Sequence, residues 1–205
     1  MVRRRRAHRV RAWAQGLSQA PWCVVDTETT GLGGDAEIVQ IAVIDGPTGD
    51  LLFDRDVRPA GPPGGTGGAS AAGIEAEALA VHGLDACRLA AAPPWPDVLS
   101  ELRPFLAGRR IVAYNAEFDR RLCHQTCDRY RLPRPRLRWE CAMRRYSDWT
   151  GRCRSLAAAC AAEGIPFAGG APHTAAGDAA ATWLLVRRIA EDAVLRRGAI
   201  SRVLR

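Results

Sequence analysis

Two carboxylates separated by one residue are the first side chains in this sequence that could do chemistry. Asp26 and Glu28 lie at the end of an apolar run, WCVVD (22–26), that predicts a β-strand. Because successive side chains of a strand point to opposite faces, the two acids share one face, about 7 Å apart. Such a pair is costly unless a cation holds it together. It indicates either a metal site or a chance pair of acids, and alone it does not decide between them.

A third acid follows another apolar segment, IVAYN (111–115), which predicts a buried strand. Asn115 can cap the helix that begins after it, and Glu117 can complement the positive end of the helix dipole. Asp119 lies on the same side of that helix as Asn115, so it can face a cleft shared with the first acidic pair. The segment offers either an ordinary helix start or a further carboxylate for one site.

A histidine and an acid open an alanine-rich helical pattern near the end of the chain. His173 and Asp178 belong to HTAAGD (173–178), whose small residues allow another chain to come close. Histidine exchanges protons near neutral pH, with an unperturbed pKa of about 6.5. A histidine before a helix is also common as a cap or a surface residue. In a chain with a strand-borne acidic pair, a histidine five residues before an acid also fits a functional site, so both interpretations stay open at this point.

The charge distribution is compatible with a polyanionic partner. The chain has 29 basic residues, all of them arginine, and 22 acidic residues, for a net charge of +7. Residues 12–101 carry three arginines and thirteen acids, whereas residues 102–154 carry fourteen arginines and five acids. A metal-dependent enzyme acting on nucleic acid would show this pattern, and so would a chance dipole. Residues 1–19 contain six arginines, all within the first eleven residues, and no acid. They are expected to form a solvated basic arm.

Several classes of protein are excluded. No apolar run approaches the roughly 18 residues of a membrane-spanning helix, and the N-terminus lacks the apolar stretch of a secretory signal. The seven cysteines are irregularly spaced without a CxxC, which argues against a disulfide framework and a zinc site. Cys123 and Cys127 are interpreted as small buried side chains. A reducing, cytoplasmic location is expected.

The remaining pattern predicts one α/β domain over 20–195 and a basic C-terminal end over 196–205. The Pro- and Gly-rich segment 59–73 predicts a loop, and Pro104 is expected to kink or shorten its helix. Strands are predicted over 22–26, 38–45, 51–58 and 111–115, and helices over 74–80, 95–107, 116–131, 156–163 (with Ser155 as N-cap) and 175–190.

Three motifs together resemble a known family. DTETTG (26–31), YNAEFD (114–119) and HTAAGD (173–178) resemble, in order and spacing, the exonuclease motifs of the DnaQ-like DEDDh family. The resemblance covers about residues 20–190, and VHGL (81–84) is similar to a further His-Gly element. It implies an α/β, ribonuclease H-like fold with a mixed five-stranded sheet flanked by helices. It also implies a metal-dependent 3′→5′ exonuclease that releases 5′-nucleoside monophosphates.

The resemblance assigns roles to ten residues. Asp26, Glu28, Asp119 and Asp178 resemble the four acids that bind two Mg²⁺ or Mn²⁺ ions, and His173 resembles the general base. With neutral imidazole, the base would take a proton from the attacking water. The residues that resemble nucleotide contacts are Thr29, Leu32, His82, Asn115 and Phe118.

Two positions depart from the family pattern. Tyr114 stands where relatives commonly carry histidine, and Thr174 stands where they often carry arginine. Neither is a catalytic position, so activity is expected while contacts to the nucleotide differ. Trp139 and Trp149 are interpreted as core residues.

The expected partner is single-stranded or frayed 3′-ended nucleic acid. DNA, in proofreading or repair, is preferred over the alternative of RNA 3′-end trimming, which no residue excludes. A non-catalytic binding module would lack at least one of the five catalytic residues, and all five are present. Association with a DNA polymerase and homodimer formation are both left open. Arg120 and Arg121, directly after the second motif, are expected to contact substrate phosphates.

Overall fold

A mixed five-stranded sheet positions the motifs in the computed structural model, which describes residues 2–61, 74–166 and 173–203. The strand order is β3-β2-β1-β4-β5; β1 pairs antiparallel with β2 and parallel with β4. This is the mixed α/β sheet that the resemblance implied. The strands are β1 Trp22–Thr29, β2 Ile38–Asp45, β3 Leu51–Asp56, β4 Arg110–Ala113 and β5 Arg138–Cys141.

Helices cover both faces of the sheet. Ser155 caps α7 (Leu156–Glu163) by accepting a hydrogen bond from the Ala158 N–H, and Gly164 ends the helix in a left-handed conformation, as predicted. Pro104 lies near the end of α4 (Trp95–Leu106), which stops two residues later. The helices are α1 Val2–Leu17, α2 Ala76–His82, α3 Ala86–Ala90, α4 Trp95–Leu106, α5 Ala116–Arg129, α6 Ala142–Thr150, α7 Leu156–Glu163 and α8 Ala175–Val203.

The alternation along β1 divides the hydrophobic core into two parts. Trp22 and Val24 pack with residues of α1, α6, α7 and α8, whereas Cys23 and Val25 pack with residues of α4 and α5. Both faces of the strand are therefore buried, which explains its continuous apolar run. Asp26 and Glu28 lie in the same strand, directly after these buried apolar residues.

The N-terminal segment differs from the solvated arm expected over residues 1–19. It forms α1, and Val10, Trp13 and Leu17 are buried against α6 and α8. The Trp13 indole N–H also donates to the carboxylate of Glu140 on β5. The expectation differs from the structure because it rested on the arginines and did not consider that Val10, Trp13 and Leu17 follow helical spacing. The division into arm, domain and C-terminal end stays a prediction.

Other differences are local. The helices α3 and α6 and the strand β5 were not predicted as elements. Of the segment 59–73, only residues 59–61 are described. Over the described ranges, no helix combines the length and the apolar character needed to cross a membrane.

Candidate active site

The acidic pair lies where β1 leaves the core. Glu28 is buried, and burial followed by the charge of Asp178 raises its pKa to about 7. Burial also raises the pKa of Asp26 well above its ordinary value, with the charges of Asp119, Asp178 and Glu28 adding to the effect. Negative charge is therefore unfavourable at this place unless a cation compensates it.

The start of α8 is fixed to the sheet and brings Asp178 to the pair. The side-chain oxygen of Gln40 on β2 accepts a hydrogen bond from the Ala175 N–H at 2.9 Å. Thr174 Oγ1 accepts one from the Gly177 N–H at 3.1 Å, so it caps the first turn. These bonds hold the helix that carries Asp178 against the strand opposite Asp26 and Glu28.

Three carboxylates form a compact group. Asp26, Glu28 and Asp178 each offer an oxygen, and these oxygens lie within 4.8 Å of one another. Oδ1 of Asp178 is buried and has no hydrogen-bond partner among the described residues. An all-oxygen donor set with a buried, unsatisfied carboxylate oxygen fits a hard divalent cation such as Mg²⁺ or Mn²⁺.

The fourth predicted acid approaches from α5. Asp119 is buried and accepts a hydrogen bond from Thr27 Oγ1 at 2.9 Å. Burial raises its pKa to about 7, and the Thr27 hydroxyl partly offsets that rise. Asp119 lies outside the compact group of three, yet its charge is the second cause of the raised pKa of Asp26. Thr27 was missed in the sequence, because its hydroxyl points away from the acidic pair.

His173 is paired with one of the acids. Its Nδ1 lies 2.9 Å from Oδ2 of Asp178, and 48% of its side chain is exposed. The hydrogen bond to Asp178 is the largest cause of a raised His173 pKa; the charges of Asp178 and Glu28 add to it, and burial opposes it. The imidazole thus lies at the edge of the carboxylate group, where solvent can reach it.

A cavity of about 320 Å³ adjoins the carboxylates. Glu28 belongs to its wall, together with four of the predicted nucleotide contacts. Leu32 is 74% exposed, so most of this apolar side chain is open to solvent at the cavity. Asn115, the fifth predicted contact, is the exposed N-cap residue of α5 and is not part of this wall. The four predicted contacts in the wall are Thr29, Leu32, His82 and Phe118.

His82 lines this cavity and is hydrogen-bonded on both ring nitrogens to the backbone. The Leu84 N–H donates to its Nδ1 at 2.9 Å, so the ring proton is on Nε2, which lies 3.2 Å from the Thr29 carbonyl oxygen and donates to it. Burial lowers the pKa of His82, consistent with a neutral ring. Its contact is therefore with the β1 backbone.

The two arginines after Asp119 differ in position. Arg121 lies 5.2 Å from the centre of the Phe118 ring and donates to the carbonyl oxygens of Leu32 and Gly33 at 3.2 and 3.0 Å. Arg121 therefore stabilises the loop after β1, and its contact with a substrate phosphate stays a prediction. Arg120 lines a second cavity, of about 410 Å³, together with Trp139.

Both departures from the family pattern have local explanations. The Tyr114 hydroxyl is directed to the Arg154 carbonyl oxygen, to which it donates at 2.6 Å, so it serves packing between elements. Thr174 is the cap of α8 described above. Trp149 packs edge-on against Tyr146 beside the α8 core, as interpreted from the sequence.

Comparisons with known proteins agree with this geometry. A family model described as an exonuclease of the RNase T type matches residues 23–186. The uncharacterized exonuclease CP81 of Escherichia phage 186 is 33% identical over 181 residues, covering 82% of this chain and 87% of the phage protein. A DNA polymerase III subunit epsilon-like protein of Rhodobacter capsulatus is 38% identical over 110 residues, which are 50% of this chain and 14% of that protein.

Solved structures share the fold. The nuclease domain of 3′hExo, a DEDDh family member bound to rAMP, superposes with a TM-score of 0.69 at 17% identity, covering 84% of this chain and 92% of that one. Exonuclease X in complex with 5′ overhanging duplex DNA gives a TM-score of 0.57 at 24% identity, covering 84% and 99%. With the matched family model and the phage relative, these findings establish that the chain belongs to the DnaQ-like DEDDh exonuclease family.

Proposed function

We propose that the protein removes nucleotides one at a time from the 3′ end of DNA and releases 5′-nucleoside monophosphates. The observation that carries the proposal is the convergence of Asp26, Glu28 and Asp178 within 4.8 Å, with His173 on Asp178 and a nucleoside-sized cavity beside them. Asp119 completes the acidic set from α5.

The four acids are proposed to hold two divalent ions. Bound Mg²⁺ or Mn²⁺ would stabilise negative charge on the attacking and leaving oxygens of the phosphodiester. The carboxylates contribute by being positioned before substrate arrives: Asp26 and Glu28 by the strand, Asp178 by the capped helix, and Asp119 by Thr27. The raised pKa values of Asp26 and Glu28 reflect burial and repulsion by the neighbouring acids, and cation binding would relieve both.

His173 is proposed to be the general base. Since its Nδ1–H donates to Asp178, the lone pair of the neutral ring is on Nε2, and that atom accepts the proton of the attacking water. Asp178 also fixes the orientation of the ring, as carboxylates do for catalytic histidines. Its half-exposed position lets the proton pass on to solvent.

The neighbouring cavity is proposed to bind the terminal nucleoside. Leu32 and Phe118 offer apolar surface to the base, and Arg121 holds both of them in place. Thr29, held by His82, lies at the sugar end beside Glu28. Burial of the base against Leu32 would cover the exposed apolar surface of this loop.

The epsilon-like relative supports DNA as the substrate and association with a DNA polymerase as a further proposal. RNA trimming is the second candidate, supported by the rAMP in a structure of the same fold. The exonuclease domain would occupy residues 20–195.

Synthetic single strands labelled at either end test the proposal. In Mg²⁺, a 3′-labelled DNA strand should lose its label at once as a 5′-mononucleotide, while a 5′-labelled strand shortens stepwise. The same sequence as RNA should be degraded more slowly, and a circular single strand of this sequence should resist. Early loss of a 5′ label would contradict the direction, and faster loss of RNA would establish the second candidate.

A further inference from the structure

An acidic side chain occupies the nucleoside cavity without a role in the proposed chemistry. Glu75 lies just before α2 and lines the cavity together with Leu32. Its backbone N–H donates to the Thr30 carbonyl oxygen at 2.7 Å, which ties the residue to the loop after β1. Its side chain makes no capping bond to α2. The carboxylate is therefore directed elsewhere.

Gly31 shows where the carboxylate lies. A Cβ atom built at Gly31 would overlap the Glu75 carboxyl carbon and both of its oxygens. Gly31 does not have a positive φ, so its backbone conformation does not demand glycine. The space left by the missing side chain holds the Glu75 carboxylate, one residue away from Leu32.

Among the described side chains, none neutralises the charge of Glu75. No ion pair joins it to an arginine or histidine in the ranges 9–10, 12–61, 74–166 and 173–191. An unpaired carboxylate next to a site for a polyanion disfavours phosphate, so the group it suits is a hydrogen-bond donor on the nucleoside. The apolar neighbours Leu32 and Phe118 place that donor on the base.

The donor pattern of the bases selects one of them. A carboxylate only accepts hydrogen bonds, through two adjacent oxygens. Guanine presents two adjacent donors, N1–H and the N2 amino group, on its Watson–Crick edge. Adenine and cytosine present one donor beside an acceptor, and thymine and uracil present one donor between two carbonyl oxygens. Two parallel hydrogen bonds to a carboxylate are possible with guanine alone.

We propose that Glu75 makes this site prefer a 3′-terminal guanine. The inference rests on the proposed function, since it places the terminal base in the cavity of Leu32 and Phe118. Single-turnover release of the last nucleotide is measured for four strands that differ only in their 3′-terminal base. The strand ending in guanine should show about a fivefold higher kcat/KM, mostly through KM, near the lower end expected for a bidentate contact in an open site.

Glu75→Gln tests the contact by the loss of base preference rather than the loss of cleavage. Glutamine presents one acceptor beside one donor, a pattern that every base can match on its Watson–Crick edge, guanine through N1–H and O6. The variant should therefore cleave all four strands without a guanine preference, a result that a general loss of structure would not produce. Glu101→Gln, on α4 outside this cavity and with the same loss of charge, should keep the guanine preference.

Binding of the four 5′-mononucleotides, measured by calorimetry in Mg²⁺, separates this inference from the proposed function. Tighter binding of GMP to the wild type but not to Glu75→Gln supports the base contact even if no strand is cleaved. Degradation of strands with equal kcat/KM for all four ends would overturn the inference and leave the exonuclease intact. A guanine preference that survives in Glu75→Gln, or is lost in Glu101→Gln alone, would overturn it as well.

Discussion

Replacing Glu28 by glutamine should stabilise the metal-free protein while removing one of the proposed metal ligands. The pKa of Glu28 is raised from 4.5 to about 7 by burial and by nearby acids. Because the folded state binds this proton more tightly than the unfolded state does, the wild-type protein should lose stability as pH rises from about 4.5 to about 7. Below that range Glu28 is protonated in both states, and glutamine should make little difference.

The size of the effect follows from the two pKa values. A rise from 4.5 to about 7 corresponds to about 3 kcal/mol of unfolding free energy, at about 1.4 kcal/mol for each tenfold change. Side-chain relaxation and water entry make this an upper value. For a chain of this length it corresponds to roughly 6 to 12 °C in Tm.

Urea unfolding in EDTA at pH 4.5 and pH 8 measures the effect. At pH 8 Glu28→Gln should be more stable than the wild type by up to about 3 kcal/mol, and at pH 4.5 the two should agree. Glu101→Gln is the control, because Glu101 is half exposed in a 3.5 Å ion pair with Arg55 and should change stability by less than about 1 kcal/mol. Adding Mg²⁺ at pH 8 should stabilise the wild type far more than the variant. A variant no more stable than the wild type at pH 8 in EDTA would refute the reasoning.

Three further substitutions separate base, positioning and packing. His173→Ala should lower kcat by about 100-fold to 10,000-fold in a steady-state nuclease assay, with Mn²⁺ binding retained; a near-normal kcat would exclude His173 as the base. Thr27→Val removes the hydroxyl that holds Asp119, so we expect about 1 kcal/mol less stability and a higher Mg²⁺ concentration at half-maximal rate; an unchanged Mg²⁺ dependence would show that this bond does not position Asp119. Trp13→Ala should cost about 3 to 5 kcal/mol in urea unfolding but leave kcat unchanged where the protein is folded; a change below 1 kcal/mol would mean that α1 is not part of the core.

The proposed catalytic residues could be singled out because the chemistry proposed for them leaves a pattern in the sequence. Two acids on one strand face, an acid one turn into a helix and a histidine before another helix identify three element ends that a sheet can bring together. The structure places Asp26, Glu28 and Asp178 in one group and Asp119 beside it.

The positioning residues were not predictable, because they leave no such pattern. Arg121 acts through the loop after β1 and Thr27 through Asp119, and such contacts depend on the packing of distant segments. The packing of α1 on the domain could have been predicted, since Val10, Trp13 and Leu17 follow helical spacing. The high arginine content of the segment favoured a solvated arm instead, and the burial of α1 depends on the apolar surface of α6 and α8.

Metal-dependent release of nucleotides by the wild type and by Asp26→Asn tests the central claim most directly. With a 3′-labelled DNA strand, mass spectrometry should identify a 5′-mononucleotide as the first product in Mg²⁺, and none in excess EDTA. Asp26→Asn should remain folded by circular dichroism and lose at least about 1,000-fold in rate, about 4 kcal/mol of transition-state stabilisation. A wild-type enzyme fully active in excess EDTA, or an Asp26→Asn variant with normal activity, would contradict the account.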